Sequence, residues 1–417
     1  MRIRRLLVLI FPVSIFVDLI SGFCTVQLKT YIPIGQVYRV TVMAAILYLL
    51  LKRPRPMLIW MILIPTLFFL LASSIWMLIY GFDPNNGFSF GIEIESFSKI
   101  LYFLIIITFF VVYREEIERL APIKIITKYG LIISVAVIIS FVTGFGNHTY
   151  GLQYGFGSKS YFKAGNDLGL TILYSAVACS IYMMEHFDWR RLIILLTISA
   201  GAILVGTRVG LIGILFWLTL LMCYIVFIYR PKDKRMRRRF LRYRPLIFLG
   251  YFLCISGVIY YLLSTFDKYM LFKYSSVGLQ SARSPLTDPA ETYISTFEWY
   301  EGIFGKGMAP LYYFVSQSVR AWSEHRMVEA DFHELLGGYG FIGFILVISP
   351  FFYFMFKALK RYFSHPDFTL FAILFVTSSF LAIAFIAGHS VRNPMVAPIY
   401  AYIVSLLYYG KKRLIDK

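Results

Sequence analysis

Four arginines and one acidic block are the residues of this sequence whose types and spacing could do chemistry. Arg39 lies in GQVYRV, Arg208 in GTRVG, Arg283 in QSARSP and Arg392 in GHSVRNP, each in or near an apolar run. A guanidinium stays charged and grips phosphate or pyrophosphate through two parallel N–H bonds. Snorkelling, or pairing with an acid, is the ordinary alternative for each. The acidic block is VEADFHELLGGYGFIG, from Val328 to Gly343. Glu329 and His333 share a face if the block is already helical, while Asp331 and Glu334 lie on others. A carboxylate, or a histidine paired with one, can take the proton of an attacking hydroxyl. The same acids could simply cap the helix that follows. Gly337, Gly338, Gly340 and Gly343 suit close helix packing. His389 stands three residues before Arg392. No HExxH pair or Walker loop is present, so neither a metal nor a nucleotide cofactor is expected.

The elements that must hold these residues follow from composition. Hydrophobic residues make up 59% of the 417 positions and charged residues only 15%. Mean hydropathy is +0.71. Soluble chains carry about 25% charged residues, so lipid must be the solvent for much of this one. Apolar runs long enough to cross a bilayer recur throughout, and a backbone in lipid must satisfy itself, which points to helices. The fold class is therefore all-α and polytopic. Twelve helices are expected, near residues 5–23, 32–51, 57–80, 97–113, 125–143, 168–185, 191–206, 209–229, 245–264, 335–356, 368–387 and 394–410. This gives nine helices over 1–264, a large extracytoplasmic loop over 265–334, and three helices over 335–417.

Charge placement sets the expected topology. With both termini cytoplasmic, the inner segments hold 28 of the 41 lysines and arginines, the positive-inside pattern. The run RPKDKRMRRRFLRYR, Arg230 to Arg244, reads as an anchor on anionic lipid. The net charge of +19 thus reflects topology and does not indicate nucleic acid. Cys24, Cys179, Cys223 and Cys254 lie in or at the ends of apolar runs without CxxC spacing and read as buried small residues. The long outer loop is rich in tyrosine, tryptophan and acids, and long loops are often functional.

An ordered set of motifs along the chain resembles the O-antigen ligase and polymerase superfamily of bacterial polysaccharide assembly. GQVYRV carries Arg39. YFKAGNDLG, with Lys163 and Asn166, resembles the family's Asn-containing segment at a helix start. GTRVG with Arg208 resembles its Thr/Ser-Arg turn, and LQSARSP with Arg283 its Ser-x-Arg element. WYEGIFGKGM resembles its Gly-x-Gly segment, VEADFHELLGGYGFIG its loop-closing block, and AGHSVRN its terminal Gly-His element.

The resemblance implies a GT-C-like, metal-independent glycosyltransferase in the bacterial inner membrane, working on its outer face. The donor would be a glycan on undecaprenyl pyrophosphate, attacked by the hydroxyl of another glycan. Arg39, Arg208, Arg283, Arg392, His389, Lys163 and Asn166 would hold pyrophosphate and glycan. Glu329, Asp331 or His333 would supply the base, and loop aromatics could stack on sugars. Membrane lipid, a flippase and a chain-length regulator would be further partners. Ligases of the superfamily typically show His-Asn before the Gly-rich helix, whereas here His333 precedes Glu334. The Glu-x-Asp pattern looks more like a Wzy-type polymerase, with a WaaL-type ligase as the alternative. A lipid-linked oligosaccharide flippase is the competing reading of another class. A fixed site fits better the charge gathered at one face and the long outer loop.

Overall fold

The computed structural model describes residues 3–30, 32–81, 87–150, 156–185, 187–229, 234–265, 284–320, 325–386, 388 and 390–408. These residues are helical, with no strand among them and one isolated bridge between His148 and Ser158. In chain order the main helices are α1 Ile3–Val26, α2 Ile34–Leu51, α3 Pro56–Tyr80, α4 Phe90–Val112 and α5 Pro122–Thr143. Then come α6 Gly165–Glu185, α7 Trp189–Val205, α8 Arg208–Ile228 and α9 Lys234–Thr265. The last group is α10 Ser284–Ser295, α11 Trp299–Phe304, α12 Met308–Ser318, α13 Asp331–Ser364, α14 Phe368–Ile386 and α15 Ala397–Tyr408.

Ten helices among the described residues are long and apolar enough to cross a membrane. The twelve expected segments all form helices, but α7 has 17 residues and α15 runs only from Ala397 to Tyr408. The start of α4 was expected seven residues later than it lies. Glu93, Glu95 and Lys99 obscure that start, yet Glu95 and Lys99 pair at 2.9 Å one turn apart and one Glu93 oxygen accepts from the Ala309 N–H. The segment expected as one long loop contributes α10, α11 and α12.

The chain divides into two compact units, residues 1–129 with 280–417, and residues 130–279. In the first, α4 runs through the interior. Its Phe103 meets Phe351, Phe380 and Tyr400 at centroid distances of 5.3–5.6 Å, so α13, α14 and α15 converge on it. In the second, α6 is the buried element. Gly206 ends α7 in the left-handed region at φ 70°, and Thr207 caps α8 by accepting from the Gly210 N–H at 3.2 Å. This completes the turn that GTRVG predicts.

Gly337 of α13 lies against Leu311 of α12 and Gly343 against Phe68 of α3, the close helix packing expected of them, while Gly340 does something else. Gly340 has φ 64° and ψ −170°, which breaks the helix. A Cβ there would stand 2.4 Å from the Gly305 nitrogen, and one on Gly305 would stand 2.3 Å from the Gly338 oxygen. The Gly307 N–H donates to that same oxygen at 2.8 Å. Gly305 and Gly340 therefore admit the backbone between α11 and α12 against α13.

Candidate active site

In the first unit, the segment that carries α10–α12 is fastened to α3 and α4. Trp76 Nε1 donates to the Gly305 carbonyl at 3.0 Å, and the Tyr80 hydroxyl donates to Glu301 at 3.0 Å. Glu301 also pairs with Lys306 at 2.9 Å and accepts from the Glu298 N–H at 2.8 Å, closing a capping box on α11. Burial pushes the Glu301 carboxyl up, but Lys306, the Glu298 N–H and Tyr80 outweigh it and hold it below the ordinary range. Glu93, fully buried in α4, accepts from the Ala309 N–H at 2.7 Å. It thereby serves the N-terminus of α12, where orphan backbone donors need an acceptor.

On this base the acidic block makes a knot with the segment after α14. Asp331, 1% exposed, accepts through one oxygen from Ser390 N at 2.7 Å, Ser390 Oγ at 2.9 Å and Val391 N at 3.0 Å. Arg392 is buried beside it, with Nε 3.9 Å from the other Asp331 oxygen. The same guanidinium pairs with the buried Glu334 and donates to the Tyr312 hydroxyl. Glu334 meanwhile accepts from the Glu329 N–H at 3.0 Å, which ties the turn before α13 to its first turn. Burial pushes the Tyr312 hydroxyl up, while Arg392 draws it down. Two carboxylates around one guanidinium satisfy the condition for burying charge, which is pairing plus hydrogen bonds.

His333, one turn into α13, faces α10. Its Nε2 lies 3.0 Å from Glu291 Oε1, and Nδ1 is buried without a hydrogen-bond partner. If Nε2 carries the proton toward Glu291, Nδ1 keeps a free lone pair, the orientation logic of a carboxylate–histidine dyad. Glu329 adopts φ 61° and pairs with Arg326 at 2.8 Å. A Cβ on Gly388 would lie 2.2 Å from the Glu329 carbonyl oxygen, so backbone contact holds that turn. Glu329, Asp331, His333 and Arg392 are thus brought together, in different roles: two lock the junction, one pairs at the surface, and one forms a dyad.

The second unit gathers a separate set of expected residues. Gly165 approaches Thr207, with a Cβ on it 3.4 Å from Thr207 Cγ2, which places Asn166 and Arg208 at the same end of α6 and α8. Lys163 is exposed just before α6, and its carbonyl accepts from Lys159 Nζ at 2.9 Å. Burial pulls the Lys159 ammonium below its usual range. Arg208, half-buried at the first position of α8, heads this cationic group. A helix N-terminus with basic neighbours favours an anion.

Arg39 pairs with Asp18 of α1 at 2.9 Å, both mostly buried. That is the ordinary alternative allowed for it above, and its charge is already balanced. Arg283 and His389 lie outside the described residues. Glu93, Glu291, Tyr312 and Glu334 have site positions that the sequence did not assign. The Glu93 contact joins residues 216 positions apart, and the Glu291 contact joins residues 42 apart, so no local spacing could show either.

Two runs have spacings familiar from soluble enzymes, GFSFG at residues 87–91 and GYGFIG at residues 338–343. Both motifs require a preceding strand, and among the described residues no strand precedes either run. Among the described residues no three His, Cys, Asp or Glu side chains converge as a metal site. The O-antigen ligase like membrane protein family matches residues 2–274 and 314–411. No curated protein matches the chain.

Proposed function

The chain belongs to the O-antigen ligase-like membrane protein family, and from that premise we propose that it is a polysaccharide polymerase. Membership supports a multi-pass membrane enzyme of polysaccharide assembly. The finer reading is transfer of a glycan from undecaprenyl pyrophosphate to the hydroxyl of another lipid-linked repeat unit, on the outer face of the bacterial inner membrane. Both termini then lie in the cytoplasm.

The reaction needs three things from the protein. The acceptor oxygen must lose its proton as it bonds to the anomeric carbon. The bond from that carbon to phosphate must break. The departing pyrophosphate, gaining charge, must be met by fixed cations. We assign the first task to His333, oriented by Glu291; Arg208, with Lys163 and Asn166, is proposed separately as an anion-binding group of the second unit. Asp331, Glu334 and Arg392 are positioning residues, which hold the start of α13 so that His333 and Glu291 meet. Asp331 is a poor base because one oxygen already takes three donors and the other faces a guanidinium. Glu329 is engaged with Arg326.

The observation that carries this reading is the His333–Glu291 dyad with an unpartnered Nδ1. Its test replaces His333 and Glu291 singly with glutamine and measures turnover per folded molecule on a lipid-linked repeat unit. Loss of a general base costs about 10²–10⁴-fold. Turnover within threefold of wild type in the folded His333→Gln protein removes His333 from the mechanism. A ligase is the second reading, favoured by the description of the matched family. A ligase would make single transfers to a non-repeat acceptor, where a polymerase makes a ladder.

A further inference from the structure

A cavity of about 820 Å³ lies in the first unit, and no residue of the acidic block lines it. It opens among α3, α4, α13 and Tyr408 of α15. Its lining residues between 345 and 354 belong to α13 beyond the break at Gly340, about 8–21 Å along the helix from that break at 1.5 Å per residue. Its wall is apolar, with Trp60, Val111, Leu346 and Phe354. Pro350 also lines it and has no N–H, so the Leu346 carbonyl loses its i+4 partner in that wall.

The rim is ionic. Arg53, Arg55 and Arg114 stand there with Glu115 and Glu116. Arg53 pairs with Glu116 and sits 4.8 Å from the Tyr113 ring centroid. Arg114 is 3.9 Å from Glu115 and 5.9 Å from the Tyr408 ring centroid. Two arginines are thereby held in place with their charge largely balanced. Arg55 has no side-chain partner among the described residues and is exposed at the first turn of α3, so the rim keeps one unbalanced positive charge. These loops belong to the basic set expected in the cytoplasm.

We propose that this cavity binds one anionic glycerophospholipid of the leaflet on the basic-loop side. Its phosphate meets Arg55, flanked by Arg53 and Arg114, and its acyl chains run down over Trp60, Leu346 and Phe354. A soluble anion would use the rim and leave the apolar wall wet. A zwitterionic lipid would bring its own amine among the arginines. Basic pockets between membrane helices on the cytoplasmic side suit anionic headgroups. This site is independent of the polymerase reading, since it touches none of the residues assigned to glycosyl transfer.

The test uses the full-length protein in detergent and native mass spectrometry. Phosphatidylglycerol, phosphatidylcholine of the same chain length, and glycerol phosphate are added separately. Wild type is expected to retain one phosphatidylglycerol in preference to phosphatidylcholine, with no retention of glycerol phosphate. Arg55→Glu should lower retention about tenfold or more, Arg55→Lys should largely keep it, and Trp60→Ala should weaken it. Arg190→Glu, on another basic loop, should leave it unchanged. Circular dichroism checks that each variant is folded. Equal retention of the two lipids overturns the proposal, as does unchanged retention in Arg55→Glu. Equal loss in Arg190→Glu also overturns it, because that would mark a general surface field. Retention of glycerol phosphate alone would mean a phosphate site without a lipid.

Discussion

Removing Arg392 should destabilise the protein more than any single change in the acidic block with which it pairs. Its side chain is 5% exposed and touches Asp331, at 1%, and Glu334, at 0%. Arg392→Ala leaves two buried carboxylates without a counter-charge. Losing one partner of a buried ion pair costs about 3–5 kcal/mol. Asp331 keeps its three donors from Ser390 and Val391, so Glu334 carries most of the penalty. Glu334→Gln alone should cost less, about 1–3 kcal/mol, because its link to the Glu329 N–H can persist through the amide oxygen. In the double variant the stranded charge is gone, so the two costs should not add, with a coupling of about 1–3 kcal/mol. Equilibrium unfolding in mixed dodecylmaltoside and sodium dodecyl sulfate, followed by circular dichroism, measures all four corners of the cycle. Additive costs, or a loss below about 1 kcal/mol for Arg392→Ala, would show that the knot does not work as a charge network.

Other outcomes follow from the same geometry. Gly340→Ala should cost at least about 1–3 kcal/mol in the same unfolding assay, since its φ of 64° and ψ of −170° suit glycine alone. Glu301 has its folded pKa below the ordinary value of 4.5, so its contribution is complete above that value and is lost as pH falls through the folded value. The unfolding midpoint should therefore drop on acidification below pH 4.5, and Glu301→Gln should flatten that drop. An equal drop in the variant would remove Glu301 as its cause. Arg208→Ala should abolish polymer formation with folding intact, and Arg208→Lys should be poor because a point charge lacks the fork. Polymer of normal length from Arg208→Ala would end the pyrophosphate role.

Much of the architecture was legible because lipid imposes long apolar runs, and each expected segment is helical. The GTRVG turn was legible too, since Gly206 and Thr207 are local signals for a C-cap and an N-cap. The segment between α9 and α13 was not. Its α10–α12 are short and mixed in polarity, and they are held by contacts to Trp76, Tyr80 and Glu93 that lie far away in sequence. The acidic block was legible as a candidate, but the partners of its residues were hidden. Asp331 and His333 are two residues apart, and only the partners Ser390 and Glu291 distinguish them. Arg39 illustrates the opposite case, where an expected ligand meets Asp18 in an ordinary membrane ion pair.

The most direct measurement places purified protein in liposomes with an undecaprenyl-pyrophosphate-linked repeat unit and follows both products together. A polymerase gives a ladder of lipid-linked oligomers, with one undecaprenyl pyrophosphate released per new glycosidic bond. The ladder should vanish in His333→Gln and Arg208→Ala and persist in Arg55→Glu. Movement of the substrate across the bilayer with no new glycosidic bond and no released pyrophosphate would contradict the assignment and favour a transporter.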